Sequence, residues 1–142
     1  MTLINGNFRD LARLLDEASV KKVDVILADL GLSSEQLNDS GRGFSFQTDE
    51  PLQMTLNPHP SPDDVTADLV VNHWSEETLA DIIYAYGEER LARKIAAAIV
   101  EARQVRPIKT TGDLVAVIAS GIPARFQHGK RHFATKTFQA LR

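Results

Sequence analysis

The sequence predicts a mostly α-helical chain that also carries part of a parallel β-sheet. Val23 to Leu27 is a short run rich in β-branched residues, which is typical of a strand buried on both faces of such a sheet. The run leads to Asp29 and then into a loop of glycine and serine. Beyond residue 61, apolar residues recur at the three- and four-residue spacing of helices. We therefore expect a partial sheet followed by a helical region.

A first helix is predicted after Asn7, a candidate N-cap with Asp10 three residues further on. Thr2 to Ile4 is a candidate short strand before it. The helix is expected to end before Lys21 and Lys22 and to pack on the sheet. The apolar residues at helical spacing that would make this contact are Phe8, Leu11, Ala12, Leu15 and Ala18.

Asp29 lies at the carboxyl end of the predicted strand, where open α/β sheets place their ligand crevice. A carboxylate there can hold a cofactor or a substrate amine, or it can cap the turn that follows. Gly31, Ser33 and Ser34 form this turn and offer backbone N–H groups and two hydroxyls. Gln36, taken alone, is expected to be an exposed surface residue.

Gly41 and Gly43 flank Arg42 in a predicted hinge that carries Phe44 and Phe46. Aromatic side chains on a glycine-rich loop can stack on a splayed nucleobase. They can equally fill the core and fix the loop to the domain, which is the simpler interpretation of the residues alone.

Gln47 to Pro62 is predicted to be a linker, because it holds four of the six prolines. Four helices are expected beyond it, with starts at Ser61, at Ser75, near Glu88, and at Thr110 or Thr111. A further helix begins near Ala134. The second of the four is expected to bury Leu79, Ile82, Ile83 and Tyr86.

Charge is distributed unevenly along the chain. Residues 1–72 carry 5 Lys or Arg against 12 Asp or Glu, whereas residues 73–142 carry 11 against 7, which gives net charges of −7 and +4. The third helix shows basic residues on its surface, which either form a solvated face or follow an RNA backbone. From Pro123 onward there is no acid, and this segment is either a phosphate-contacting surface or a solvated tail. Its basic residues are Arg125, Lys130, Arg131, Lys136 and Arg142.

Composition narrows the class of protein. The chain has 142 residues, of which 43% are hydrophobic and 25% are charged, as expected of an ordinary soluble protein. No apolar run approaches the roughly 20 residues that span a bilayer, and the N-terminus does not resemble a signal peptide. A cytoplasmic protein is therefore expected. The absence of cysteine excludes disulfides and thiol nucleophiles, and we expect no metal site.

Four blocks of the sequence resemble one enzyme family in order and spacing. DLGLSSEQL with RGFSF resembles the signature loop of the bacterial 16S rRNA cytosine-N4 methyltransferases, the small-subunit methyltransferase H family. The resemblance continues through the blocks YGEERLARKIAAAIVEAR, PIKTTGDL and HFATKTFQALR. It implies a Rossmann-like α/β methyltransferase core with an inserted all-α domain, S-adenosylmethionine as cofactor and 16S rRNA as substrate.

The resemblance also assigns roles to individual residues. It places Phe8, Asp29 and Gln36 at the S-adenosylmethionine site, with Asp29 also a candidate acceptor for the cytosine amine. Phe8 can at the same time be a core residue at the start of its helix. His132, before the A-T-x-T-F-Q-A element, is either a phosphate or base contact or a loop histidine. The predicted substrate-binding residues are Ser33, Ser34, Phe44, Phe46, Arg125, Lys130, Arg131 and His132.

The sequence departs from the family pattern at several points. Gln53 and Thr55 stand where the family has Asp and Arg, and Phe133 stands where a proline is more common. The loss of an acid together with a base indicates a lost ion pair or substrate contact. The glycine-rich G-x-G-G-H-S cofactor element and the S-F-H-S-L-E-D element have no counterpart here.

The resulting prediction has three parts: residues 1–46 as a partial methyltransferase core, residues 47–128 as an inserted helical domain that holds RNA, and residues 129–142 as a return to the core. The first functional hypothesis is S-adenosylmethionine-dependent methylation of N4 of a cytidine in 16S rRNA. The alternatives are a non-catalytic RNA-binding or ribosome-associated module, and a fragment without a function of its own. An incomplete sheet also predicts a homodimer or poor solubility.

Overall fold

The computed structural model describes residues 2–29, 31, 33, 37 and 40–142. The chain divides into two compact units, Met1–Gly31 and Leu32–Arg142. The regular elements of the described residues are helices, accompanied by one isolated antiparallel bridge between Pro51 and Thr110. In this part of the chain, no helix has the length and apolar character needed to cross a lipid bilayer.

The first unit contains one short helix after a capped turn. The side-chain oxygen of Asn7 accepts a hydrogen bond from the backbone N–H of Arg9 at 3.0 Å, which confirms the predicted N-cap. A 3-10 turn, Phe8–Asp10, leads into α1, Leu11–Glu17. An ion pair at 2.6 Å between Arg13 and Glu17 joins successive turns of α1.

The prediction of a strand at Val23 to Leu27 is wrong, because the described residues of this segment have no regular secondary structure and are exposed. Exposed fractions reach 81% for Val25 and 94% for Leu27. A strand needs a neighbouring strand to pair its N–H and C=O groups, and none is formed within the described ranges. The expected packing of the first helix on a sheet fails for the same reason. Phe8 is 72% exposed.

The second unit is a helical assembly built around one central helix. Its helices are α2 (Ala67–His73), α3 (Glu76–Gly87), α4 (Ala92–Val105), α5 (Thr111–Gly121) and α6 (Thr135–Leu141). The central helix α4 packs against α2, α3 and α5, while α6 packs on α3. A 3-10 turn at Ala124–Phe126 connects α5 to the segment before α6.

The core of this unit consists of aliphatic side chains from α3, α4 and α5 with one aromatic side chain from α6. Each of the largest is at most 1% exposed. Complete burial of one such side chain stabilises the folded state by about 1.5–3 kcal/mol. These core residues are Leu79, Ile83, Ile95, Ile99, Leu114, Ile118 and Phe138.

Side-chain caps fix where the helices begin. Ser75 caps α3 as predicted, since its hydroxyl accepts the Thr78 N–H at 3.1 Å. Of the two candidates for α5, Thr110 is the cap, in a capping box with Asp113. The predicted start of α2 at Ser61 is wrong. Asp64 instead accepts the Ser61 N–H at 2.8 Å and closes a turn, so the helix begins only after the Thr66 cap.

The buried face of α3 differs from the prediction at its end. Tyr86 is 68% exposed, whereas Gly87 is buried. A Cβ atom on Gly87 would overlap the backbone carbonyl oxygen of Lys136 on α6. The backbone of α6 therefore packs directly against this glycine, and Tyr86 lies on the exposed face of α3.

The loop that carries Phe44 is fastened to the start of α5. The Gly43 N–H donates to the Glu50 carboxylate at 2.8 Å, and the Glu50 N–H donates to the Thr111 hydroxyl at 3.0 Å. The Asp49 carboxylate accepts the Gly112 N–H at 2.8 Å. These hydrogen bonds therefore hold the predicted hinge against the start of α5.

Gly43→Ala should destabilise the protein by more than Gly41→Ala. Both glycines have positive φ, 74° and 66°, so both substitutions carry a conformational cost of about 1 kcal/mol. Only at Gly43 would the new Cβ overlap the Pro51 carbonyl oxygen, because nothing lies within 4 Å at Gly41. We expect an additional loss of about 1–3 kcal/mol in urea unfolding for Gly43→Ala. Equal losses for the two variants would contradict this packing.

Asp49 should make the stability depend on pH on the acid side. Hydrogen bonds from the Thr110 hydroxyl and the Gly112 N–H lower the pKa of Asp49. A carboxylate with a lowered pKa in the folded state stabilises the protein above its unfolded pKa of about 4, and this contribution is lost as the pH falls through the folded pKa. The difference in unfolding free energy between wild type and Asp49→Asn should therefore shrink below about pH 4. A difference that stays constant in urea titrations across this range would refute the assignment.

Candidate nucleic-acid interface

The basic segment after α5 is held against the end of that helix. The Gln127 side-chain amide donates to the Ala119 carbonyl at 2.8 Å and also contacts the Ile122 carbonyl at 3.4 Å. Ile122 is buried, and this anchors the start of the 3-10 turn that follows it. The turn then presents Arg125 and Phe126 at the surface, with the Arg125 guanidinium 5.0 Å from the centre of the Phe126 ring.

Four rings form a cluster at the start of α6. The Phe46 and His132 rings stack at 4.6 Å, and His132 stacks in turn on Phe133 at 4.3 Å. Phe46 also meets the buried Phe138 edge-on at 4.9 Å. The Ala134 N–H donates to His132 Nδ1 at 3.3 Å, which leaves Nε2 as the nitrogen that carries the proton in the neutral ring.

The close approach of α3 and α6 positions a lysine. Lys136 Nζ donates to the carbonyl of Glu88, the residue that ends α3 in a left-handed conformation, at 2.8 Å. The lysine side chain therefore reaches across from α6 to the turn between α3 and α4. It keeps further N–H donors for another ligand, since an ammonium group has three.

A cleft of about 510 Å³ lies between this turn and the start of α6. We call it the Phe126 cleft. Its charged residues are three bases and one acid, and the carboxylate of that acid, Glu89, already accepts the Leu91 N–H at 2.9 Å. The side chains that give it chemical character are Arg90, Arg131, Lys136, Phe126, Phe133 and His132.

The combination of cations and rings suits a nucleotide. Guanidinium and ammonium groups bind phosphate, while aromatic faces stack on unpaired bases with little dependence on sequence. A volume of this size falls within the range of small-ligand pockets. In an acidic chain with a net charge of −3, a local excess of positive charge favours an anionic ligand.

The structure brings only some of the predicted substrate residues to this cleft. Arg131 and His132 line it, and Phe46 supports the His132 ring from outside the lining. Arg125 lies beside Phe126, and Lys130 is exposed in the preceding turn without lining the cleft. For all five of these residues, the role as an RNA contact stays a prediction.

Phe44 has the simpler of its two predicted roles in the fold. Its side chain is 1% exposed and belongs to the core, and its carbonyl accepts a hydrogen bond from Arg142 Nε at 2.7 Å. Burial lowers the pKa of Arg142, although an arginine remains charged near neutral pH. Phe44 therefore packs the loop into the helical unit, and a base contact for its ring stays a prediction.

The predicted cofactor residues lie in and just beyond the first unit. Phe8 and Asp29 are exposed. Gln36 lies outside the described residues, as does Ser34, which with Ser33 was predicted to bind the substrate. Ser33 is described, is exposed and has an interaction partner.

Gln53 and Thr55, two of the departures from the family pattern, both accept hydrogen bonds through their backbone carbonyls. The Gln53 carbonyl accepts the Ala67 N–H at 2.9 Å, at the start of α2. The Thr55 carbonyl accepts a hydrogen bond from the Arg42 guanidinium at 3.0 Å. These two contacts do not involve the side chains of Gln53 and Thr55, whereas the Thr55 hydroxyl accepts the Asn57 N–H at 3.2 Å.

Four residues that line the cleft, Arg90, Phe126, Phe133 and Lys136, are not among the predicted substrate-binding residues, although Lys136 belongs to the basic segment predicted as a phosphate-contacting surface. Arg90 and Lys136 were visible only as members of basic runs 46 residues apart in the sequence. Their proximity depends on the contact of α3 with α6, which no local pattern signals. Phe126 and Phe133 flank the basic residues at 130 and 131, and this interleaving of rings and bases is the one signal that pointed toward them.

The chain has similarity to known proteins over its full length. The model of the MraW methylase family matches residues 1–142. A ribosomal RNA small subunit methyltransferase H from Desulfotalea psychrophila is 49% identical over 142 residues. Proteins of the same name from Koribacter versatilis and Fervidobacterium nodosum are 51% and 52% identical.

These alignments include 99–100% of this chain but only 43–47% of the relatives. The chain therefore spans about half the length of the curated relatives that it matches.

Proposed function

The chain belongs to the MraW methylase family, and we propose that it forms part of an S-adenosylmethionine-dependent methyltransferase that modifies N4 of a cytidine in 16S rRNA. The name shared by its relatives, ribosomal RNA small subunit methyltransferase, supports this class of substrate. The signature loop at residues 29–46 supports cytosine N4 as the acceptor. In this proposal the protein acts in the cytoplasm on the small ribosomal subunit or its RNA.

The observation that carries the RNA part of the proposal is the Phe126 cleft. It is formed entirely by residues of the second unit, and its bases have no carboxylate partner among the ion pairs of the described residues. By contrast, Arg106 and Lys109 of the same unit pair with Asp113 and Asp68 at 2.8 and 3.1 Å. Cations without acidic partners are free to neutralise phosphates.

The cofactor part of the proposal concerns Phe8, Asp29 and Gln36. The ring of Phe8 is 72% exposed, so it has a free face for a planar or apolar part of a ligand. Asp29 is exposed and can accept hydrogen bonds from hydroxyl or amino groups. Both described residues fit S-adenosylmethionine, whose sulfonium supplies the methyl group when the cofactor is bound.

Asp29 is proposed to hold the cytosine amine during transfer. The amino nitrogen of cytosine is a poor nucleophile, because its lone pair is delocalised into the ring. A carboxylate that accepts a hydrogen bond from this amine favours the geometry in which the lone pair is available. The base must first leave its stack, and most of the acceleration then comes from positioning.

A second candidate function is a non-catalytic RNA-binding or ribosome-associated module. The observation that favours it is that residues of the second unit alone line the cleft, whereas the predicted cofactor residues Phe8 and Asp29 belong to the first unit. Binding of RNA without binding of S-adenosylmethionine would support the module. Binding of neither would leave a fragment without a function of its own.

Removal of two cleft bases should weaken RNA binding. We expect Arg131→Gln/Lys136→Gln to lower the affinity for a single-stranded RNA of about 12 nucleotides by about tenfold or more. Since each lost phosphate contact on a single strand contributes about 0.7 to the salt dependence, the slope of log K against log salt should fall by about 1.4. Fluorescence anisotropy over a salt series measures both quantities.

Arg106→Gln/Lys109→Gln is the matched control for this experiment. It removes the same charge from two exposed bases that already have acidic partners and that do not line the Phe126 cleft. The control should retain the wild-type affinity within about twofold. Equal losses for both double variants would show that RNA responds only to net charge and would contradict the site.

Two substitutions in the first unit test the cofactor assignment. Phe8→Ala and Asp29→Asn should each weaken S-adenosylmethionine binding by about tenfold in isothermal titration of the 142-residue chain. Leu3→Ala and Asp24→Asn are the controls, because they change an exposed apolar and an exposed acidic residue of the same unit. No binding by the wild type at millimolar cofactor would remove the cofactor role from this chain and favour the RNA-binding module.

A further inference from the structure

A second cleft adjoins the Phe126 cleft on the other side of Arg90. It has a volume of about 380 Å³ and lies between α3 and the start of α4. Arg90 and Leu91 line both clefts, so the two are contiguous along the turn between these helices. We call it the Tyr84 cleft, after the aromatic residue in its wall.

The Tyr84 cleft has the same chemical character as its neighbour. Its bases are Arg90, Arg93 and Lys94, all exposed, against the single acid Asp81. None of these three bases has an ion pair or a side-chain hydrogen bond within the described part of the chain. They are therefore available to an anionic ligand.

Tyr84 supplies an exposed ring beside these cations. It is 65% exposed, although most aromatic side chains bury the larger part of their surface. A stacking surface next to guanidinium and ammonium groups is the arrangement by which proteins hold successive nucleotides of a single strand. Taken together, the two clefts present five bases against two acids.

We propose that the Tyr84 cleft is a second nucleotide subsite, and that one unpaired RNA strand runs from the Phe126 cleft across Arg90 to Tyr84. This inference rests on the proposed RNA-binding function and extends it, because it specifies a single-stranded substrate and a path. Arg90 contacts the phosphate between the two subsites. Bases in a duplex are stacked on each other and cannot reach Tyr84, so the path selects single strands.

The test compares RNA lengths and variants. A dinucleotide fills one cleft, and its binding is measured by NMR titration. A single strand of about 8 nucleotides fills both clefts, and its binding is measured by fluorescence anisotropy. Tyr84→Ala should weaken binding of the longer RNA by about tenfold and leave dinucleotide binding at the Phe126 cleft within about twofold. Arg93→Gln should show the same pattern to a smaller degree, and Arg90→Gln should weaken both probes.

Tyr86→Ala is the matched control, because Tyr86 lies on the same helix and is 68% exposed but lines neither cleft. It should bind both probes as the wild type does. Since both tyrosines are exposed, circular dichroism should show intact helices in each variant.

Two results would overturn the inference while leaving the proposed function in place. One is equal binding of the longer RNA by Tyr84→Ala and Tyr86→Ala. The other is binding of a duplex of the same length as tightly as the single strand. A wild type that binds neither probe would instead refute the RNA-binding function itself.

Discussion

The approach of α3 to α6 at Gly87 is the contact on which the candidate site depends. Any side chain at this position would overlap the carbonyl oxygen of Lys136, so the two helices can meet only at a glycine. Their contact buries Phe138 and brings Lys136 to the Glu88 carbonyl. The turn after α3 and the segment before α6 thereby become the two walls of one cleft. Each wall supplies only part of the charge and of the ring surface of the cleft.

Local signals in the sequence predicted most of the helices. Ser75 and Thr110 are capping residues, and each begins its helix as predicted, because a cap satisfies backbone N–H groups within a few residues of itself. The strand at Val23 to Leu27 was predicted wrongly, because a strand depends on a partner that local sequence does not supply. The same limit applies to the site. His132 and Arg131 could be found from their motif and charge, whereas Arg90 becomes part of the site only through tertiary packing.

The two units contribute different parts of the proposed chemistry. The second unit has a buried core and holds the residues of the Phe126 cleft in defined positions, with the loop of Phe44 fastened by Arg142 and by Glu50. The first unit carries Phe8 and Asp29 as exposed residues and has no buried residue in its helix or its 3-10 turn. The described residues that line the Phe126 cleft all belong to the second unit. Because the cleft residues and the predicted cofactor residues belong to different units, the same helices are compatible with a methyltransferase and with an RNA-binding module. Cofactor binding and RNA binding must therefore be measured separately.

Mapping where RNA lies on the second unit would test the Phe126 cleft as its binding site. Photo-crosslinking of the 142-residue chain to a single-stranded RNA containing 4-thiouridine, followed by mass spectrometry of the peptides, reports this location. We expect crosslinks to the peptides that contain Phe126 and His132, which line the Phe126 cleft. Crosslinks confined to the face of α4 and α5 around Val105 and Ser120 would place the RNA elsewhere and refute an RNA site in the Phe126 cleft.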